Sequence, residues 1–122
     1  MCPSRWDQSA RVLPLMRGPA RDAAKRRIAP HLVIDAPADC SLMQQEIFGP
    51  ILPVLPYDNL QQVVEQIQAG PHPLAFYPFT HRRRQLDWLL QNVMSGGVSV
   101  NDALFHVGQA DLPFGGVGHS GM

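Results

Sequence analysis

Cysteine, net charge and long apolar runs are all scarce in this sequence. Its 122 residues include only two cysteines, Cys2 and Cys40, which are too few for a disulfide scaffold and too isolated for a zinc site. Ten basic residues balance ten acidic ones, and no apolar run approaches the roughly 18 to 20 residues that cross a bilayer. These absences argue against metal binding, nucleic-acid binding and a membrane span. They predict a cytoplasmic protein with reduced thiols.

Apparent catalytic motifs near the end of the chain lack the context that they require. Gly116, Gly118 and Gly121 spell GxGxxG, but the dinucleotide fingerprint needs a strand before it and a helix after it. Ser120 lies in a Gly-His-Ser-Gly segment that is similar to a nucleophile elbow, again without a following helix. We therefore predict that Ser120 is a turn residue. The five histidines are spaced too irregularly to place two metal ligands on one helical face.

Charge is distributed unevenly along the chain. Residues 1–27 hold seven basic and two acidic residues, a net charge of +5, so the remaining 95 residues carry −5. Such a segment can serve as a transit peptide or bind a polyanion, but prolines and a glycine interrupt any long helix. We expect residues 1–27 to be an irregular basic segment and residues 28–122 to form the folded domain. The arginines at 82–84 are interpreted as an exposed helical turn, with phosphate binding as the alternative.

From residue 28 onward, apolar spacing predicts alternating strands and helices. Asp58 is the expected N-cap of a first helix that Gly70 ends, and Thr80 is the expected cap of a second helix that ends before Gly96. Amphipathic helices between short strands favour crossover connections and a parallel sheet. The predicted fold class is therefore α/β, a parallel sheet with crossover helices. Its strands are expected at 31–35, 51–55, 74–77 and 98–100, and its helices have apolar stripes at 60–67 and 86–94.

Two short segments carry a family resemblance. The sequence MQQEIFGP at 43–50 resembles the EIFGP element of the aldehyde dehydrogenase superfamily, and LPFGG at 112–116 with Ser120 and Gly121 resembles its closing PFGG element. The resemblance covers residues 9–122 and is closest to the coniferyl-aldehyde dehydrogenase branch. It implies part of a catalytic domain from a longer enzyme. That enzyme would form homo-oligomers and oxidise an aldehyde, aromatic in this branch, with NAD or NADP.

The resemblance also implies roles for individual residues. Taken alone, Glu46 would be an ordinary solvent-exposed carboxylate and Phe48 a core ring. In the family, Glu46 would accept hydrogen bonds from the hydroxyls of the nicotinamide ribose, and Phe48 would lie against the nicotinamide. Phe114 would border the aldehyde-entry pocket, and Leu104-Phe105-His106 would occupy the variable loop that shapes substrate choice. Asn101 is similar to a family residue that braces loops.

Two catalytic groups of the family have no counterpart in this sequence. The nucleophilic cysteine follows a Gly-Gln-x-Cys segment and the general base lies in Glu-Leu-Gly-Gly, and neither segment occurs here. Cys40, six residues before Glu46, does not match the nucleophile. We therefore assign no catalytic residue and expect the chain to be inactive alone. The alternative is a noncatalytic remnant that binds a partner through its unfinished sheet.

Overall fold

The computed structural model describes residues 10–16, 21–113 and 115–121. The chain divides into two compact units, with the boundary between Tyr57 and Asp58. The first unit contains a three-stranded sheet, a short two-stranded pair and one short helix. The second contains two longer helices and a two-stranded parallel sheet. Each unit has its own cluster of buried apolar residues.

A three-stranded sheet organises the first unit. Its strands are β1 (Arg11–Pro14), β4 (His31–Ile34) and β5 (Ile51–Val54), in the order β1-β4-β5, and β2 (Arg21–Asp22) pairs separately with β3 (Arg27–Ile28). The central strand β4 pairs antiparallel with β1 and parallel with β5. The helix α1 (Ser41–Gln44) lies in the connection between β4 and β5, as a crossover between parallel strands requires.

The strand β1 lies in the segment that the sequence predicts to be irregular. All four of its residues are exposed, so no alternation of apolar and polar residues marks it in the sequence. The strand forms because β4 supplies main-chain partners, and beyond it the Leu15 N–H donates to the Pro30 carbonyl at 2.9 Å. Pro14 is tolerated because β1 is an edge strand. The expectation of irregular structure is therefore wrong for Arg11–Pro14, whereas residues 1–9 and 17–20 lie outside the described ranges.

The core of the first unit is small. Its buried members are Val33, Ala36 and Cys40, and Ala10, Leu42, Met43 and Ile51 pack against them. Val33 is only 2% exposed because β4 is covered by a strand on each side and by α1. The Cys40 thiol is free and buried in this cluster, which fits the behaviour of a free cysteine as a small apolar residue.

The second unit alternates helices and strands along the chain. Its elements are α2 (Leu60–Ala69), β6 (Ala75–Phe76), α3 (Arg83–Asn92) and β7 (Gly97–Val98). The strands β6 and β7 are parallel and α3 connects them, so both units contain a parallel pair joined through a helix. The predicted α/β class is confirmed. In the parts of the chain that the structure describes, no helix is long and apolar enough to cross a membrane.

The two helices meet through the apolar stripes that the sequence predicts. The buried members of the second core are Val64, Leu89 and Val93, and Leu60, Ile67, Phe76 and Trp88 pack against them. Val64 is 1% exposed. Burial of three such side chains contributes roughly 1.5 to 3 kcal/mol each. The Gln68 side-chain amide also donates to the Asn92 carbonyl at 2.7 Å, which satisfies a carbonyl group at the end of α3.

Both helix starts differ by a few residues from the sequence prediction. The N-cap of α2 is Asn59 and not Asp58, because the Asn59 side-chain oxygen accepts a hydrogen bond from the Gln61 N–H at 2.9 Å. The helix α3 begins at Arg83, three residues after Thr80. The Thr80 hydroxyl nevertheless accepts a hydrogen bond from the Arg82 N–H at 3.2 Å. Thr80 therefore steadies the approach to α3 without being its N-cap.

Candidate functional site

A loop in the first unit, residues 45–50, carries the EIFGP sequence between α1 and β5. Main-chain hydrogen bonds fix both of its ends. At the start, the Gln45 N–H donates to the Ser41 carbonyl at 3.0 Å. At the finish, the Pro50 carbonyl accepts from the His31 N–H at 2.9 Å. The loop therefore has a defined path although it contains no helix or strand.

Glu46 and Phe48 both project from this loop into solvent. Ile47 between them is half-buried, whereas Phe48 is 92% exposed. Phe48 is thus not a core ring of its unit. Within the described ranges, the Glu46 carboxylate makes no hydrogen bond or ion pair. An unoccupied carboxylate two residues from an uncovered ring fits a ligand that presents hydroxyl groups beside a flat ring system.

A cavity of about 260 Å³ lies beneath the loop. It is lined by Val33, Ser41, Leu42, Gln45, Glu46, Ile47 and Ile51. Binding sites for drug-sized ligands generally occupy about 300 to 1,000 Å³. The cavity is therefore too small to enclose a dinucleotide, and the 45–50 loop can supply one wall of such a site.

In the second unit, Asn101 joins two loops that follow the parallel strands. Its side-chain oxygen accepts from the Thr80 N–H at 2.8 Å, and its side-chain nitrogen donates to the Thr80 carbonyl at 3.1 Å. Its own N–H donates to the Pro78 carbonyl at 2.9 Å. Asn101 adopts a left-handed conformation with φ of 55°, which asparagine tolerates better than most residues. These contacts agree with the bracing role that the resemblance implies.

The loop after Asn101 presents two of the predicted substrate-pocket residues. Leu104 is 68% exposed and Phe105 is 67% exposed. A 3-10 turn at Phe105–Gly108 follows, and the Val107 N–H donates to the Leu104 carbonyl at 3.0 Å. Ligands of parallel α/β sheets bind beyond the carboxyl ends of the strands, which is where this loop begins. The third predicted residue, Phe114, lies outside the described residues.

His106, the third residue of the predicted variable loop, holds this loop in place, a role that the sequence does not predict. Its ring lies 5.6 Å from the Tyr77 ring, centroid to centroid. Its N–H donates to the Ser99 hydroxyl at 3.3 Å, and its Nδ1 lies 3.5 Å from the same oxygen. A Cβ added to Gly97 would overlap the His106 ring. The only sequence signal is a histidine a few residues after a glycine and a serine, which is too common to identify this contact.

The closing glycine-rich segment forms a tight turn. The Ser120 hydroxyl accepts from the Val117 N–H and donates to the Val117 carbonyl, both at 3.0 Å. Ser120 is thus confirmed as a turn residue. A Cβ on Gly116 would overlap the main chain of Ser120, and one on Gly121 would lie 2.6 Å from the Gly116 nitrogen. Glycine is required at both positions because the main chain passes over itself without room for a side chain.

Cys40 is the one cysteine in the residues that the structure describes. Cys40 is 8% exposed and belongs to the first core, so its sulfur cannot meet a substrate. In the same described ranges, no three His, Cys, Asp or Glu residues lie close enough to hold a metal ion.

Comparisons with known proteins identify the family of the chain. Residues 6–122 match the model of the Aldehyde dehydrogenase family. A probable coniferyl aldehyde dehydrogenase of Pseudomonas aeruginosa is 41% identical over 116 residues, covering 95% of this chain and 24% of that protein. The chain therefore spans about a quarter of the length of such relatives.

Solved structures show the same relation. The substrate-bound state of Staphylococcus aureus AldH superposes with a TM-score of 0.82 at 36% identity, over 95% of this chain and 24% of that one. Mycobacterium tuberculosis aldehyde dehydrogenase complexed with NAD+ gives a TM-score of 0.74 at 26% identity, over 95% and 23%. The α/β fold is thus that of part of an aldehyde dehydrogenase catalytic domain. The chain belongs to the aldehyde dehydrogenase family.

Proposed function

We propose that this chain forms part of the catalytic domain of an NAD(P)-dependent aldehyde dehydrogenase that oxidises an aldehyde to its carboxylic acid. The observation that carries the proposal is the 45–50 loop, which presents a 92% exposed Phe48 ring and a Glu46 carboxylate without a partner among the described residues. Family membership and the NAD+ complex of the Mycobacterium tuberculosis relative support the choice of a nicotinamide cofactor. The coniferyl name of the Pseudomonas aeruginosa relative supports an aromatic aldehyde as substrate.

The chemistry assigns this chain a positioning role. Aldehyde oxidation needs a thiolate that attacks the carbonyl carbon, N–H donors for the resulting oxyanion, and a base that activates water to release the acid. A bound nicotinamide accepts the hydride. The one cysteine among the described residues, Cys40, is buried, so these residues offer no accessible thiol. We therefore propose that the isolated chain is inactive and that the full-length enzyme, a homo-oligomer, supplies the reacting groups.

Glu46 and Phe48 would hold the nicotinamide end of the cofactor. The two Glu46 oxygens can accept hydrogen bonds from two ribose hydroxyls, and the Phe48 ring can cover one face of the nicotinamide. Because the 45–50 loop is tied down at both ends, the two side chains share one fixed frame. Restricting the position of a reacting ring can lower the barrier by several kcal/mol through preorganisation.

Leu104, Phe105 and Phe114 would form the apolar wall for the aldehyde. Leu104 and Phe105 expose most of their surface in the second unit, which leaves that surface available to an apolar ligand. Each apolar side chain that a bound substrate covers contributes roughly 25 cal/mol per Å² of buried surface. A wall of this kind discriminates between aldehydes by size and apolar character and takes no part in bond making.

A noncatalytic module that binds a partner is the second candidate. It is favoured by β5, which pairs with β4 along one edge in the described part of the chain and exposes 59% of Leu52. Exposed strand edges with apolar residues are sites of strand addition. This candidate predicts binding without any contribution to aldehyde oxidation.

A grafted enzyme distinguishes the two candidates. Residues 10–121 replace the matching segment of the Pseudomonas aeruginosa relative, which contributes the remaining parts of the enzyme. We expect NADH or NADPH formation from an aromatic aldehyde, with the unaltered relative as the reference. A graft that folds and retains a reactive thiol but forms no reduced cofactor would contradict the proposed function and favour the partner-binding module.

A further inference from the structure

His106 is the one covered residue in a long exposed loop. From Asn101 to Pro113 every residue except His106 is exposed, and His106 is half-buried. Its imidazole lies against the Cα of Gly97 at a place where any Cβ would overlap the ring. The Tyr77 ring lies 5.6 Å away at an interplanar angle of 49°. A glycine on β7 and a ring following β6 thus make a fitted seat for the imidazole.

Ser99 supplies the polar side of this seat. It is buried at 9% exposure, so its hydroxyl needs partners within the protein. The hydroxyl oxygen accepts from the His106 N–H at 3.3 Å, and the same oxygen lies 3.5 Å from Nδ1. Because a hydroxyl has one donor and two acceptor sites, it can receive the main-chain N–H and donate to Nδ1 together. Ser99 therefore holds both the main chain and the side chain of His106.

We propose that His106 is a positioning residue that sets the location of the Leu104–Phe105 wall against the aldehyde. The inference rests on the proposed function for the wall itself. Leu104 has a left-handed conformation with φ of 67°, which a leucine adopts only when its surroundings enforce it. Asn101 fixes the loop before Leu104, and the seated His106 fixes it immediately after Phe105. The exposed pair is therefore held from both sides.

This arrangement predicts that His106 acts on substrate choice without contacting the substrate. A large aromatic aldehyde covers the Leu104–Phe105 wall and depends on its position, whereas acetaldehyde is too small to do so. Loss of the seat should therefore weaken binding in proportion to the size of the aldehyde. The rate of the chemical step should change little, because the wall takes no part in bond making.

Amide hydrogen exchange on the whole 122-residue chain tests the seat directly. We expect His106→Ala and Gly97→Ala each to speed exchange of the Val107 amide about tenfold, because local opening sets its rate. The Gln45 amide of the first unit, which donates to the Ser41 carbonyl at 3.0 Å, can open without breaking the seat and should not change. His106→Asn, which keeps an acceptor near the Nδ1 position, should restore part of the protection, and exposed His81→Ala is the matched control. An unchanged Val107 rate, or equal acceleration of the Val107 and Gln45 amides, would overturn the seat.

The grafted enzyme tests the effect on substrate. With His106→Ala we expect KM for an aromatic aldehyde to rise about tenfold while kcat stays within about twofold, the pattern of lost uniform binding. KM for acetaldehyde should stay unchanged, and His106→Asn should recover part of the aromatic KM. Equal changes for both aldehydes, or a fall in kcat alone, would overturn the positioning role. If the unaltered graft folds but oxidises no aldehyde, the proposed function fails. The exchange measurement alone then decides whether His106 fixes the position of the loop.

Discussion

A phenylalanine ring that is 92% exposed gains almost nothing from the hydrophobic effect within its own unit. At Phe48 this exposure is combined with a loop whose main chain is hydrogen-bonded at both ends, so the position of the residue in the fold is defined. Glu46 has the complementary property, since its carboxylate has acceptor capacity that no described residue uses. An exposed aromatic ring two residues from a carboxylate that no described residue binds distinguishes this loop from ordinary protein surface.

Glu46→Gln tests this interpretation at the level of one atom. The amide keeps the shape but loses a charge-assisted acceptor worth about 1.5 to 3 kcal/mol. In the grafted enzyme we expect kcat/KM to fall about ten- to hundredfold, because each 1.36 kcal/mol corresponds to a factor of ten. The midpoint of thermal unfolding should not move, since Glu46 has no partner among the described residues. A lowered midpoint with unchanged turnover would make Glu46 a structural carboxylate.

Two substitutions of Asn101 separate the contribution of its hydrogen bonds to stability from the cost of its left-handed conformation. Asn101→Gly accepts a φ of 55° without strain but loses both side-chain bonds to Thr80, each worth about 1 kcal/mol. Asn101→Ala loses the same bonds and adds the left-handed penalty of about 1 to 2 kcal/mol. We therefore expect stability by urea unfolding to decrease in the order Asn, Gly, Ala. An alanine variant as stable as the native chain would show that the two side-chain bonds to Thr80 contribute nothing to the free energy of unfolding.

The helices show what a sequence pattern can and cannot locate. The stripe that contains Leu60, Val64 and Ile67 predicts the buried face of α2 because side chains three and four apart share one side of a helix. The first residue of a helix is a finer matter, decided by which side chain reaches a free N–H. Asp58 and Asn59 are both good N-cap residues, and only the three-dimensional path selects Asn59.

Substitution of these neighbouring residues measures the cap of α2. Asn59→Ala should destabilise the chain by about 1 kcal/mol, because the Gln61 N–H loses its acceptor. Asp58→Ala is the matched control and should be nearly neutral. Both changes in the free energy of unfolding are obtained from denaturant midpoints, with the slope m of the transition unchanged. Equal losses at both positions, or a larger loss at Asp58, would place the cap where the sequence alone predicted it.

Strands whose stability comes from pairing were harder to predict than strands with an apolar pattern. The strand β4 was predicted because Leu32, Val33 and Ile34 form an apolar run, and the structure confirms it at His31–Ile34. The exposed β1 contains Val12 and Leu13 but was missed, because the prolines and scattered arginines around it give no periodic apolar face. The seat of His106 was missed for a related reason, since the overlap of one ring with the missing Cβ of Gly97 is a property of space and not of spacing.

The whole chain combines positioning elements with a thiol that cannot react. Cys40 is buried at 8% exposure, whereas reactive cysteines are partially exposed in electropositive surroundings. We therefore expect the isolated 122-residue chain to form no NADH or NADPH from an aromatic aldehyde above the level of a Cys40→Ser control. With Cys2 replaced by serine, labelling of the Cys40 thiol should likewise be slow in native buffer and fast in denaturant. Reduced cofactor that disappears in the Cys40→Ser variant would show that a nucleophile was overlooked.

The family and the α/β class could be predicted from the sequence, because short motifs and apolar periodicity can be recognised without knowing the rest of the fold. Residue roles were less accessible. The EIFGP motif identified Glu46 and Phe48, but only their exposure shows that neither serves its own core. No change of composition in the sequence marks the division of the chain after Tyr57, because that division depends on which segments pack together.

The Asn101 side chain does what a neighbouring peptide group would do. Its amide oxygen and nitrogen engage the Thr80 N–H and carbonyl, the same two groups that an adjoining strand would engage. These two side-chain bonds extend the parallel hydrogen-bond ladder of β6 and β7 by one more pair of bonds, at the point where the main chain at Asn101 turns away. The two chain segments can therefore diverge after Thr80 and Asn101 while they remain hydrogen-bonded to each other at these residues.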